Sequence, residues 1–214
     1  MVSVMVCDDC ASLLDFVVRA IAEFSDFKVV GKAASGEECI ELIEKGNIPD
    51  VLLLDVSMPK GMSGYEVAMH LKQKLPIIKI IAFSALTDDL ATIAMIRFGT
   101  KAFVVKGHVV ADELAEIIRL VMADGEYYPP KFRYNKSKID EIKKTPIPWL
   151  EKIKPEEMEV IKLIANDCPQ KQVPDQLKIS SSLMGKRLNK LFKKTNTHNA
   201  IGLINFLRKV GLLK

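Results

Sequence analysis

The first half of the chain alternates short apolar runs with amphipathic stretches. Residues 51–54 are four consecutive aliphatic residues without polar alternation, which is typical of a strand covered on both faces, and strands are predicted at 2–7, 28–34, 50–55, 77–84 and 102–105. The stretches between and after them place apolar residues at helical spacing: about 12–24, 35–45, 64–74, 87–98 and 111–123. Five strand–helix units in succession predict a doubly wound α/β domain with a five-stranded parallel sheet.

Polar residues at the ends of these segments predict where the helices start and stop. Ser12 and Thr87 are expected to cap their helices, and Ser35 with Glu38 three residues later forms a predicted capping box. Gly99 suits the end of the helix before it, because glycine accepts the left-handed backbone that often ends helices.

The second half lacks strand patterns. Prolines bracket a lysine-rich stretch, 127–148, which is predicted to be a linker with a short helix near 137–144. From Trp149 onwards the pattern is helical, and a short helix, a turn and a second helix predict a helix-turn-helix: 170–177, 178–180 and 181–194. The predicted domains are therefore 1–126, the linker 127–148, and a small all-α domain, 149–214.

Charge divides the chain in the same place. The 214 residues carry a net charge of +4, but residues 1–130 hold 12 Lys/Arg against 19 Asp/Glu, while residues 150–214 hold 13 against 6. An acidic front and a basic back indicate two domains with different partners, and the basic one suggests nucleic acid.

Composition narrows the class of protein. A chain that is 49% hydrophobic and 27% charged is ordinarily globular, and no apolar run approaches the roughly 20 residues of a membrane span. The N-terminus lacks the features of a signal peptide, so a soluble cytoplasmic protein without membrane partners is expected. Cys7 and Cys10 form a CxxC pair, but without a second pair or clustered histidines we expect reduced thiols rather than a zinc or redox site.

Chemistry-bearing side chains follow four of the five predicted strands: Asp8 and Asp9, Asp55, Ser84, and Lys106. The carboxyl ends of parallel strands share one edge of a sheet, so these groups are expected to converge there. Clustered carboxylates favour a hard divalent cation, best Mg²⁺, beside which a carboxylate can attack a phosphoryl group. A lysine and a hydroxyl can stabilise the added oxygens. Taken alone, Asp55 could equally be a capping residue at a strand end.

These residues, with Met58-Pro59 after Asp55, resemble the receiver domain of two-component response regulators over residues 1–126. The resemblance implies a flavodoxin-like fold in which Asp55 accepts a phosphoryl group from a histidine kinase. It further implies that Asp8, Asp9 and the Ser57 backbone carbonyl hold Mg²⁺ with Asp55, and that Ser84 and Lys106 contact the phosphoryl group. Phe103 occupies the place of the family's aromatic switch, although a core aromatic is an equally good interpretation.

One face of the predicted second helix of the helix-turn-helix is basic. Lys186, Lys190, Lys193 and Lys194 lie at helical spacing. With Arg187 and Asn189 they are predicted to contact phosphates and base edges of double-stranded DNA. A solvated lysine face is the alternative.

This segment resembles the C-terminal domain of LuxR/NarL-type regulators, less closely than the receiver match. It shares Leu177-x-Ile179-Ser180 and Asn199, but differs at several positions: Asp167-Cys168, Pro174, Gly185 and Ala200. Gly185 removes a lysine that is usual in the family and costs about 1 kcal/mol of helix stability relative to alanine. Pro174 is expected to interrupt the first helix of the motif.

The sequence therefore predicts a DNA-binding transcriptional response regulator, not an enzyme, whose phosphorylation on Asp55 controls homodimerisation and DNA binding. Two alternatives belong to other classes. An aspartate-nucleophile phosphatase would need an acid two residues after Asp55, where Ser57 stands. A regulator with a protein-binding helical domain remains open because of Gly185 and Pro174.

Overall fold

The computed structural model describes residues 1–58, 61–108, 110–130, 136–151, 153–165, 168–169 and 171–213. The residues of the predicted motifs and elements that lie outside this part of the chain include Pro59, 131–135, Asp167 and Gln170. The chain divides into two compact units, Met1–Thr145 and Pro146–Lys214. Within the described residues, none of the helices has the length and apolar character needed to cross a membrane.

The first unit is a five-stranded parallel sheet covered by helices. Its strands and helices follow one another as β1 Val2–Cys7, α1 Ala11–Ala22, β2 Phe27–Ala33, α2 Gly36–Glu44, β3 Val51–Leu54, α3 Gly64–Lys74, β4 Lys79–Ser84, α4 Asp89–Arg97, β5 Ala102–Val105 and α5 Ala111–Met122. The strand order is β2-β1-β3-β4-β5, and all four pairings are parallel. The predicted doubly wound α/β fold is confirmed.

The central strands supply the core of this unit. All four residues of β3 are fully buried, which explains why the sequence of this strand shows no polar alternation. On one face of the sheet, apolar side chains from β1, β3, β4 and β5 pack against the inward faces of α1 and α5. The packed sheet holds the strand ends in place.

Helix N-caps agree with the sequence in one case and differ in two, whereas Gly99 follows the end of α4 in a left-handed backbone conformation, as predicted. Ser35 caps α2 and accepts from the Glu38 backbone N–H, while the Glu38 carboxylate accepts from Ala34 rather than from Ser35 itself. Residue Cys10, not Ser12, is the N-cap of α1, and Asp88, not Thr87, caps α4 through a bond from Leu90. Asp88 rather than Thr87 is the N-cap because its carboxylate accepts a hydrogen bond from a backbone N–H in the first turn of the helix.

The chain after α5 returns to the open edge of the sheet. Tyr127 forms a parallel bridge with Ala102: its backbone N–H donates to Lys101, and its carbonyl accepts from Phe103 at 2.8 Å. The buried Tyr128 hydroxyl donates to the Thr100 carbonyl at 2.8 Å. Helix α6, Lys136–Lys144, packs against α4. The first unit thus extends to residue 145, past the predicted boundary at 126.

The second unit is all helical: α7 Pro148–Glu151, α8 Pro155–Ala165, α9 Val173–Gln176, α10 Ser181–Thr195 and α11 Ala200–Lys209. Buried side chains from the last four of these helices form its core. Trp149 is buried and meets the Phe206 ring edge-on, with 5.6 Å between the centroids. A short helix, a turn and a long helix give the predicted helix-turn-helix.

Pro174 does not interrupt α9, contrary to the prediction. The helix begins at Val173, so the proline occupies the first turn, where its missing N–H would have no partner in the helix. The prediction placed the start of this helix at residue 170 and therefore put the proline in its interior.

Candidate functional site

Strand register brings the predicted site residues of the first unit to one edge of the sheet. Neighbouring strands β1 and β3 pair Cys7 with Leu54, so Asp8 and Asp55 leave the sheet side by side. On the other side of β3, β4 pairs with β5 up to Ser84, and the Lys106 backbone N–H donates to the Ser84 carbonyl at 2.9 Å.

Lys106 lies between two buried carboxylates. Its Nζ is 2.6 Å from Asp8 Oδ2 and 2.8 Å from Asp55 Oδ2. Asp8 and Asp55 are only 2% and 5% exposed, so water screens these charges weakly. The ammonium group also lies 5.9 Å from the centroid of the Phe83 ring, a neighbour that the sequence does not single out. The half-buried ammonium group of Lys106 thus bridges the ends of three strands.

The pKa values of Asp8 and Lys106 depend most on their burial and next on the ion pairs that they form with each other and with Asp55. Burial raises the pKa of the Asp8 carboxyl above its usual range, although the hydrogen bond from Lys106 acts in the opposite direction. For Lys106, burial acts to lower the pKa, but the charge of Asp55 and the hydrogen bonds to both carboxylates outweigh it and the pKa is raised. The lysine is therefore a cation at neutral pH.

One lysine does not neutralise the acids of this site. A carboxylate oxygen from each of Asp8, Asp9 and Asp55 lies within 4.8 Å of the other two. Three carboxylates against one ammonium leave excess negative charge, and a set of oxygen donors suits a hard divalent cation. The residues present therefore fit a metal ion of the kind that the sequence predicts.

The remaining predicted residues surround this cluster. The half-buried Ser57 donates its backbone N–H to Asp55 Oδ1 at 3.2 Å. Ser84 is fully buried, and its hydroxyl accepts from the Leu86 backbone N–H at 3.4 Å. Phe103 is 1% exposed on β5. Its position fits both interpretations of this aromatic, switch and core residue.

Two backbone features that the sequence analysis missed shape the site. The Cys10 backbone N–H donates to Asp8 Oδ1 at 2.9 Å and so orients that carboxylate. At Gly64, a Cβ atom would overlap the Asp55 carbonyl oxygen and lie 2.8 Å from Val56 Cα. Only glycine therefore lets α3 start so close to the strand that carries Asp55. A glycine at the start of a helix next to the site is the signal that could have revealed this.

The CxxC cysteines occupy different environments. Cys7 is buried, and its Sγ lies 3.4 Å from the Ser35 carbonyl oxygen. A hydrogen bond with Cys39, reinforced by burial, raises the pKa of the Cys7 thiol well above its usual range. A thiol that resists ionisation is a poor nucleophile and a poor metal ligand. Cys10 is exposed at the start of α1.

In the second unit, α10 exposes four of the six predicted DNA-contacting residues: Lys186, Asn189, Lys190 and Lys193. Their spacing of three, one and three residues keeps them on one face of the helix. The opposite face packs into the core through Met184, Leu188 and Leu191. The α10 helix is therefore amphipathic, with a polar face that contains three exposed lysines.

The other two predicted contact residues are engaged within the unit. The Lys194 ammonium pairs with the Glu157 carboxylate, which is 2% exposed and also accepts from the Lys154 backbone N–H at 2.8 Å. The half-buried Arg187 donates to the Glu156 carbonyl at 3.4 Å. Both side chains connect α10 to the first turn of α8, so neither Arg187 nor Lys194 belongs to the exposed polar face of the helix.

Gly185 lies inside α10 without breaking it. Helix α10 is continuous from Ser181 to Thr195, and a Cβ atom at Gly185 would meet no atom within 4 Å. Glycine is thus not required here by packing. The helix tolerates its cost because Ser180 caps the first turn, with its hydroxyl accepting from Leu183 at 3.1 Å.

Comparison with known proteins gives a consistent family. Residues 4–119 match the response regulator receiver domain. The chain is 28% identical to the transcriptional regulatory protein DegU of Brevibacillus brevis, over 92% of this chain and 89% of DegU. It is 26% identical to the transcriptional regulatory protein DesR of Bacillus subtilis over the full length of both. The fold resembles RcsB of Salmonella enterica serovar Typhimurium bound to promoter rprA with the phosphomimetic BeF3⁻, with a TM-score of 0.60 at 18% identity, covering 97% of this chain and 98% of RcsB.

Proposed function

Because the chain belongs to the response regulator receiver family, we propose that it is a DNA-binding transcriptional regulator controlled by phosphorylation of Asp55. The observation that carries the proposal is the buried cluster in which Lys106 bridges Asp8 and Asp55. The relatives named as transcriptional regulatory proteins, and the RcsB structure bound to a promoter, support a DNA-binding output.

In this proposal Asp55 is the nucleophile. A carboxylate oxygen attacks the phosphorus of a phosphohistidine on a partner kinase, so that a P–O bond forms, the P–N bond breaks, and the histidine nitrogen leaves with the electron pair. Asp8, Asp9, Asp55 and the Ser57 carbonyl would hold Mg²⁺, which supplies positive charge against the phosphoryl oxygens when bound. Lys106, already beside Asp55, contributes a second positive charge.

Signalling in this proposal begins with a change in the ion pairs of Lys106. Before phosphorylation, the Lys106 ammonium group pairs with both Asp8 and Asp55. A phosphoryl group on Asp55 adds oxygens that compete for this ammonium and for the hydroxyl of Ser84. We propose that movement of Ser84, with Phe103 on the neighbouring strand, biases the receiver between two states and thereby controls homodimerisation.

The output is assigned to α10. Lys186, Asn189, Lys190 and Lys193 form its exposed polar face, which would enter the major groove of double-stranded DNA. A dimer would present two such helices to two half-sites. The protein-binding alternative loses the support that it drew from Gly185 and Pro174, since α10 is continuous and Pro174 lies in the first turn of α9.

The test measures DNA affinity and oligomeric mass with and without Mg²⁺ and beryllofluoride, with Asp55→Asn as the control. We expect tighter binding and a larger mass on activation, both absent in the variant. Affinity should fall steeply with salt, because each neutralised phosphate releases counterions. Activation of the receiver without salt-dependent DNA binding in either state would refute the output and favour a protein partner.

A further inference from the structure

One apolar side chain stands on the outer surface of the first turn of α10. Leu183 exposes 40% of its surface, although its neighbours in sequence include the buried Met184. The Ser180 cap fixes the position of Leu183 by accepting its backbone N–H at 3.1 Å, so the helix starts in a defined geometry. Among the described residues of the second unit, Leu183 is not one of the apolar side chains that pack against the core.

Leu183 adjoins the basic face of the helix. Lys186 and Lys190 follow it by three and seven residues, a spacing that places all three side chains along one side of the helix. Both lysines are exposed. On a helix that enters the major groove, residues near the N-terminus approach base edges, whereas lysines further along reach phosphates as well as bases. Leu183 is therefore placed where DNA sequence is read.

Only one base edge offers an apolar group to such a side chain. In the major groove, thymine presents its 5-methyl group, whereas the other bases present hydrogen-bond donors and acceptors. Opposite one of those bases, Leu183 would desolvate polar groups without giving them a partner, which disfavours the wrong base as well as favouring thymine. Arg187, four residues after Leu183 in the helix, donates a hydrogen bond to the Glu156 carbonyl. Its guanidinium group is therefore already engaged within the unit.

We propose that Leu183 is a specificity-determining residue that packs against the 5-methyl group of a thymine in each half-site. The proposal rests on the DNA-binding function proposed above and names the base pair, A·T, that the first turn of α10 selects. Lys186 and Lys190 supply affinity along the same side of the helix.

The experiment removes the methyl group from the DNA and the leucine from the protein independently. Sites are first selected from a random duplex pool with the full chain activated by Mg²⁺ and beryllofluoride. Each thymine of the selected site is then replaced by deoxyuridine, which differs only by the methyl group. Wild type should lose about fourfold in affinity at one thymine per half-site, the effect of exposing one buried methyl-sized group. Leu183→Ala should bind both duplexes equally.

Controls separate specificity from folding and from general affinity. Lys193→Ala, on the same helix, should weaken binding while keeping the full methyl effect. Leu183→Thr, which keeps a smaller methyl-bearing side chain, should retain part of it. Circular dichroism of the variants checks that the helices are intact, as expected for an exposed position.

Two results would overturn the proposal, and they have different meanings. If wild type binds DNA but no thymine responds to loss of its methyl group, or if Leu183→Ala responds as wild type does, DNA binding stands and the role of Leu183 is wrong. If the activated protein shows no salt-dependent binding to any duplex, the proposed function fails, and this inference fails with it.

Discussion

Loss of the Lys194 side chain should destabilise the second unit far more than loss of the neighbouring Lys193. Lys194→Met leaves the Glu157 carboxylate, 2% exposed, with the Lys154 backbone N–H as a remaining partner but without its cation. Removing one member of a buried ion pair costs about 3–5 kcal/mol, and the 17% exposure of the Lys194 side chain favours the lower end, about 3 kcal/mol. Lys193 is exposed, so Lys193→Met should change stability by less than about 0.5 kcal/mol.

Urea unfolding followed by tryptophan fluorescence measures this difference. Trp149 is the only tryptophan of the chain and is buried against Phe206 within the second unit, so its emission follows the unfolding of this unit alone. A domain of this size has a stability of about 3–10 kcal/mol. Lys194→Met should therefore lose a large share of its free energy of unfolding, with a clearly lower midpoint.

A double variant isolates the pair. The double variant Glu157→Gln, Lys194→Met removes both charges. Its loss in free energy of unfolding should be smaller than the sum of the losses of the two single variants. Equal midpoints for Lys194→Met and Lys193→Met would refute the reasoning, because Lys194 would then have no structural role. It would also return Lys194 to the candidate DNA contacts.

Three further predictions concern single sites. Gly185→Ala should raise the stability of the second unit by about 1 kcal/mol in the same urea assay, since its Cβ meets no atom within 4 Å and alanine favours helix; an unchanged midpoint would contradict this. Asp8→Asn should raise the stability of the metal-free protein at neutral pH, because the raised pKa of Asp8 means that ionisation opposes folding. Its advantage should shrink as the pH falls through that raised pKa, where wild-type Asp8 takes up a proton, and a constant advantage would be inconsistent with this cause. Gly64→Ala should lower stability by about 1–3 kcal/mol and reduce phosphorylation by a small phosphoryl donor, because the added Cβ displaces the backbone of Asp55; unaltered phosphorylation would show that the helix can move away.

The sequence predicts the first unit well because the relevant information is local. Four of the five strands of this sheet are short, largely apolar segments that end next to a chemistry-bearing polar residue, and these residues mark the functional edge. The order of the strands decides which ends become neighbours, and the regularity of parallel α/β folds makes that order predictable. The convergence of Asp8, Asp55 and Lys106 could therefore be expected without coordinates.

The sequence is less informative where contacts between separate elements determine the role of a residue. Lys194 shares the helical spacing of the exposed lysines, and only the position of Glu157 on another helix draws it inward. The effect of Pro174 depends on the first residue of α9, and helix ends are the least predictable part of a pattern. Phe103 lies within the apolar strand β5 in either interpretation, so its residue type cannot separate a switch residue from a core residue.

The bridge between Ala102 and Tyr127 also determines where the receiver can be cut. Strand β5 is the last strand of the sheet, and its outer backbone groups at Lys101 and Phe103 are paired by Tyr127. A chain ended at residue 126 would expose these groups along an apolar strand, and open edges of this kind promote aggregation by pairing with other molecules. A fragment that continues through α6 keeps the edge covered, so an isolated receiver prepared for biophysical work should end after residue 145.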